Sequence, residues 1–98
     1  MINKKILGLL GLAARARKIA FGADSVENEL KARKIKVIIV AEDSSERTKE
    51  NNVPIIIKGN IDELSKTIGK NNKAIIGIKD INLSNEIIKI NDGGDIIG

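Results

Sequence analysis

The sequence predicts an α/β fold: a three-layer α-β-α sandwich on a four-stranded mixed sheet. Three observations carry this. Helix-period and strand-type segments alternate along the chain. The runs Val37-Ile38-Ile39-Val40-Ala41 and Ala74 to Ile78 are apolar almost throughout, as strands covered by helices on both faces must be. Finally, 98 residues suffice for one domain with a radius of gyration of about 13 Å, whereas two domains would each be too small. Residues 1–91 are assigned to that domain and residues 92–98 to a flexible tail.

Ile2 to about Ala16 reads as the first helix. Ile2, Ile6, Leu9, Leu10, Ala13 and Ala14 recur at helical spacing, while Lys4, Lys5 and Arg15 fall mainly off that stripe. Gly8 and Gly11 each lower its propensity by up to about 1 kcal/mol relative to Ala. Lys18 to Phe21 is a short strand that breaks at Gly22. A helix from about Asp24 to Arg33 follows, with Asp24 as its N-cap and Glu27, three residues on, completing a capping box. Ile35 to Ala41 is the central strand.

Glu42-Asp43-Ser44-Ser45 ends that strand, and Ser44 or Ser45 caps a short helix through Lys49. Asn52 is the breaker before Val53-Pro54-Ile55-Ile56-Ile57, a strand in which Pro54 is confined to the start or an unpaired edge because it lacks a donor. The connection from Ala41 to Val53 holds 11 residues, the lower limit for a crossover between parallel strands. Its helix is therefore one or two turns, or the sequence is not contiguous there. Asn60 caps a helix from Ile61 to Ile68 with Ile61, Leu64 and Ile68 as its buried stripe, and Gly69 suits the left-handed residue at its end. A polar loop, Gly69 to Lys73, leads into the strand Ala74 to Ile78. Asp80 to Asn82 turns into a last helix, Leu83 to Ile90, and Asn91 to Asp95 begins the tail.

Composition narrows the chemistry. Hydrophobic content is 42% but aromatic content only 1%, so the core is aliphatic with Phe21 as its single ring. The chain has no Cys and no His. Disulfides, thiolate or imidazole metal sites, Cys nucleophiles and Ser-His-Asp hydrolysis are thereby excluded. With no P-loop either, neither an enzyme nor a cofactor is expected. Seventeen basic against thirteen acidic residues give +4, an excess that suits a polyanion without demanding one. Lys4, Lys5, Arg15, Arg17, Lys18, Lys31, Arg33, Lys34 and Lys36 load the first third of the chain. For Arg15, Arg17 and Lys18 a solvated face explains as much as a binding role. Glu42-Asp43 reads better as negative charge at a helix N-terminus than as the acidic pair of a phosphoryl-accepting domain, which would need two further α/β units. No long apolar run or secretory leader is present, so a cytoplasmic protein without a membrane partner is expected.

Four local patterns then bear on family: Leu7-Gly8-Leu9-Leu10-Gly11-Leu12-Ala13-Ala14-Arg15-Ala16 followed by Lys18 and Gly22; Ala41-Glu42-Asp43-Ser44-Ser45 with Thr48-Lys49; Asn52-Val53-Pro54; and Leu64 with Ile68-Gly69-Lys70. With these, over nearly its whole length, the chain resembles the kink-turn RNA-binding superfamily of ribosomal protein L-seven-Ae, and most closely its small bacterial YlxQ-like branch. The resemblance implies a monomeric, non-enzymatic binder of structured RNA, of the kink-turn type or ribosomal RNA, in translation-linked ribonucleoprotein. It implies that Gly22, Ala23, Asp24, Ser25, Asn28 and Lys31 grip the kinked backbone and read sheared G·A pairs beside it. It further implies that the loop Gly69, Lys70, Asn71, Asn72 and Lys73 packs against the protruding nucleotide. Helix N-terminal amides suit phosphate, lysines add attraction, and base edges opened by a bulge can be hydrogen-bonded.

The chain departs from the family pattern at several of these positions. Asp24 stands for Asn, Ser25 for Glu or Gln, and Asn28 for Lys, while Arg17 stands where the branch usually has Gly and adds charge close by. Asp24 accepts but cannot donate, and its charge opposes a phosphate 4 Å away by about 1 kcal/mol in water. Lys31, one turn further along the same face, is the expected compensation. The alternative is a small α/β protein-protein interaction domain whose substituted loop has lost RNA affinity.

Overall fold

The computed structural model describes residues 2–47 and 53–93. Four helices and four strands follow one another as α1 (Lys4–Arg15), β1 (Ile19–Phe21), α2 (Ala23–Lys31), β2 (Val37–Val40), β3 (Ile55–Ile57), α3 (Ile61–Thr67), β4 (Ile75–Ile78) and α4 (Ile81–Asn91) among the described residues. The strands form one mixed sheet in the order β1-β4-β2-β3. β4 runs antiparallel to both neighbours, pairing Ile19 with Ile78, Phe21 with Ile76, and Val40 with Ile75. β2 and β3 are parallel. Pro54 stands just before β3 at the sheet's edge, where its missing donor costs nothing and its carbonyl accepts from the Ile38 N–H at 3.0 Å.

The sandwich expected from the apolar runs is the one observed, and its layers are unequal. Val37, Ile39, Ile56, Ile76 and Ile78 face Ile6 and Leu10 of α1, Leu64 of α3 and Ile87 of α4 in one aliphatic core. The opposite face, with Ala20, Ile38, Val40 and Ile75, is covered by Val26 and Leu30 of α2 together with Ile35. All four residues of β2 and of β4 are buried. On the α2 side the place of a side chain at Gly77 is filled by Ile35, whose Cδ1 would lie 2.7 Å from an added Cβ. The radius of gyration is 12.1 Å.

Several boundaries differ from those read in the sequence, each for a local reason. α1 starts at Lys4 because the Asn3 side chain caps it, accepting from the Lys5 N–H at 2.7 Å; Ile2 lies outside the helix yet is buried in the same core. α2 starts at Ala23, with Gly22 as N-cap and no side-chain capping bond. Asp24 is thus a first-turn residue and not the cap, and the Asp24–Glu27 capping box does not form. α4 starts at Ile81, two residues before Leu83, because Asp80 caps it by accepting from the Leu83 N–H at 2.8 Å. No helix forms over Ser44–Arg47: the Ser44 hydroxyl accepts from the Glu46 N–H at 3.0 Å and closes a local turn instead. The expected continuation through Lys49, the breaker Asn52 and most of the tail lie outside the described residues.

Candidate functional site

Antiparallel pairing of β1 with β4 decides what meets what. It sets the chain leaving β1 beside the chain entering β4: the Gly22 N–H donates to the Ile75 carbonyl at 2.9 Å. On the other side of β4 the Ala41 N–H donates to the Ala74 carbonyl, also at 2.9 Å. One end of the sheet therefore gathers the start of α2, the loop 69–74, the segment after β2 and the start of α3. The two turns implicated by sequence, one starting at Gly22 and the other at Gly69, become neighbours only through this ladder.

Gly22 makes the turn from strand to helix at φ 86° and ψ 149°, a backbone state reserved in practice for glycine. Because no side chain caps α2, the amides of Ala23, Asp24 and Ser25 have no intrahelical partner and face outward at the positive end of the helix dipole. Asp24, Ser25, Asn28 and Lys31 are exposed. Ala23, Asp24, Asn28 and Lys31 line one depression along α2, together with Glu27 and Arg47. Lys31 sits in the last turn of α2, so it serves the far end of this face, while Arg47 reaches the face from the segment after β2. The Arg47 guanidinium is held by the carbonyls of Ser44 at 3.2 Å and Glu46 at 2.6 Å. Sequence reading missed Arg47, which no local motif ties to α2.

The second loop is built onto the end of α3. Gly69 (φ 73°) and Asn72 (φ 54°) take left-handed backbone, and the Lys70 N–H donates to the Ser65 carbonyl at 2.8 Å. Ser65, 3% exposed, clamps the loop's far end twice. Its hydroxyl accepts from the Lys73 N–H at 2.8 Å and donates to the Lys73 carbonyl at 3.2 Å. The only sequence signal for it is a hydroxyl four residues after Ile61, on the helix's apolar stripe.

Phe21 joins the two loops. Expected as the core's single ring, it is half-buried and packs against the core from this rim. The ammonium groups of Lys70 and Lys73 lie 5.1 and 5.6 Å from its ring centroid, a cation–π geometry. Gly69, Lys70, Asn71 and Asn72 are exposed, so the two lysines are set at the rim with their charges available to an anion. Acids share this end. Asp43 accepts from the Ile61 N–H at 2.9 Å, so negative charge at a helix N-terminus is what Glu42-Asp43 supplies, but to α3. Arg17 is at the other end of the sheet, where Lys79 donates its N–H to the Lys18 carbonyl at 2.7 Å, and adds no charge to this rim.

Among the described residues no cluster of His, Cys, Asp and Glu could hold a metal ion, and no helix is long and apolar enough to cross a membrane. A family model, described as the ribosomal protein L7Ae/L30e/S12e/Gadd45 family, matches residues 4–88. The RNA-binding protein YlxQ of Bacillus subtilis is 30% identical over 92 aligned residues, covering 86% of this chain and 92% of the relative. The RNA-binding protein YlxQ of Enterococcus faecium is 33% identical, covering 80% and 82% respectively. Among solved structures, a protein of unknown function from Bacillus halodurans superposes with a TM-score of 0.83 at 31% identity, covering 92% of this chain and 99% of that one. The 15.5 kD RNA-binding protein of Giardia lamblia shares the fold, with a TM-score of 0.75 at 18% identity over 92% and 90% of the two chains.

Proposed function

We propose that this chain, which belongs to the ribosomal protein L7Ae/L30e/S12e/Gadd45 family, binds structured RNA of the kink-turn type, as a cytoplasmic monomer in translation-linked ribonucleoprotein, through the rim built by Gly22–Asn28 and Gly69–Lys73. The observation that carries the reading is the junction at Phe21. There, uncapped helix amides and two lysines held 5.1 and 5.6 Å from one ring stand at the same end of the sheet. Amides at a helix start bind phosphate oxygens, and the lysines add charge without needing a base sequence. A bulge that breaks the A-form helix opens base edges to Ser25 and Asn28 that a regular duplex hides. The names of both curated relatives, RNA-binding protein YlxQ, support the same partner class.

Asp24 favours a second reading. Its carboxylate already lies in the first turn of α2, where it offsets the dipole that would hold a phosphate, as expected of a domain that has exchanged RNA for a protein partner. A gel shift with a kink-turn RNA and a straight duplex separates the two. The RNA reading expects preference for the kinked RNA that survives physiological salt; equal affinity that vanishes as salt rises leaves only unspecific attraction. Within the kinked complex, Asp24→Asn should raise affinity and Lys31→Ala should lower it. Unchanged affinity in both variants removes the α2 face from the interface.

A further inference from the structure

The most basic surface of the molecule lies at the opposite end of the sheet. Arg17, Lys18, Arg33, Lys34, Lys36 and Lys79 line a single groove with no acid among them. These are six of the chain's seventeen cations, so the remaining eleven stand against thirteen acids. The molecule's positive charge is therefore concentrated in this groove. The groove is about 16 Å from the rim, the length of β4 with its flanks from Ala74 to Lys79 at about 3.3 Å per residue. Of these six cations, Lys79 alone has an ion-pair partner among the described residues, Glu29 at 3.5 Å.

Helix C-termini attract cations, which accounts for residues following α1 and α2 but not for Lys36 and Lys79, which flank β2 and β4. A second observation points the same way. Arg17 and Arg33 hold φ values of 59° and 60°, the left-handed state in which glycine ends a helix without strain. Both close their helices by the same device: the next residue's N–H reaches back, Lys18 to the Ala13 carbonyl at 2.8 Å and Lys34 to the Glu29 carbonyl at 3.0 Å. At both positions the chain bears backbone strain where the side chain is an arginine of this groove.

We propose that this groove is a second RNA-contact surface, taking the phosphates of a regular A-form segment, so that the protein bridges two RNA helices from its two ends. The bridging, though not the groove's own affinity, rests on the rim reading above. A recessed row of cations fits the convex ridge of a nucleic-acid strand better than a flat anionic leaflet, and duplex RNA is held mainly through its backbone.

The test uses the full chain, a straight RNA duplex of about 16 base pairs and fluorescence anisotropy over a salt series. Arg17→Gly/Arg33→Gly removes two cations at positions where glycine is the less strained residue, so its melting temperature should hold or rise. It should weaken duplex binding at least tenfold and flatten the log–log salt slope by close to 2, about 0.9 for each lost phosphate contact. Lys70→Ala/Lys73→Ala should weaken duplex binding less than Arg17→Gly/Arg33→Gly does, since it leaves the groove whole. Wild type saturated with immobilised kink-turn RNA should recruit labelled duplex, and the Arg17→Gly/Arg33→Gly protein should not. Unchanged duplex affinity and slope in that variant overturn the proposal, as does binding to vesicles of anionic phospholipid that the same variant abolishes while no duplex is bound. Loss of duplex binding in a protein that ignores kink-turn RNA would keep the groove and remove the rim.

Discussion

Gly22 is fixed by its backbone and not by crowding. An added Cβ would meet nothing within 4 Å, yet φ is 86° and ψ 149°. Gly22→Ala should therefore destabilise the fold by about 1–3 kcal/mol without perturbing the core, read as a lower urea midpoint at unchanged m. Gly22 was legible in the sequence because it interrupts an apolar run; its role as the helix cap was not, since Asp24 satisfies the same local pattern two residues on. Ser84 presents the converse case. It is fully buried in α4, and its hydroxyl has no hydrogen-bond partner among the described residues. A buried, unpaired hydroxyl costs stability, so Ser84→Ala should stabilise by about 1 kcal/mol, a rise of roughly 4–8 °C in Tm for a domain of this size. A fall in Tm would mean that the hydroxyl has a partner.

At the level of elements, the rim depends on the join between α3 and the loop that follows it. Ser65 holds both the N–H and the carbonyl of Lys73. Ser65→Ala leaves these groups unpaired at a part-buried position, a cost of about 1–3 kcal/mol, and should speed hydrogen exchange at the Lys73 amide. Its effect on kinked RNA should be a severalfold loss of affinity accompanied by lost stability. Lys70→Ala/Lys73→Ala should lose affinity with little change in stability, since exposed cation–π contacts contribute only about 0.5–1 kcal/mol. Asn60, whose side chain accepts from the Glu63 N–H at 2.8 Å, was readable as a cap because it precedes a helical stripe. The Ser65 clamp was not, because its partner is the backbone of a loop eight residues on. The short helix expected after Ser44 failed for a related reason: a serine hydroxyl serves a turn as readily as a helix start, and nothing local chooses between them.

For the whole molecule, two charged ends on one sheet predict two kinds of salt response. Straight-duplex binding, carried by the Arg and Lys groove, should fall steeply with salt. Kinked-RNA binding should fall less steeply, because helix amides hold phosphate without acting as mobile-ion competitors in the way lysines do. Equal slopes for the two RNAs would place both on one surface. The layered scaffold itself was determined by sequence. Apolar runs such as Val37–Val40 and Ile75–Ile78 must be covered on both faces, and the stripes of α1 and α3 on one face and of α2 on the other supply the cover, so burial alone selects a three-layer arrangement. Only the tertiary structure decided which loops share an end. The antiparallel register that sets Ile19 against Ile78 and Phe21 against Ile76 brings Gly22 to Lys73 at one end and Arg17 to Lys36 and Lys79 at the other. Those pairings span more than fifty residues of chain, and no local propensity encodes a contact made only when distant strands hydrogen-bond.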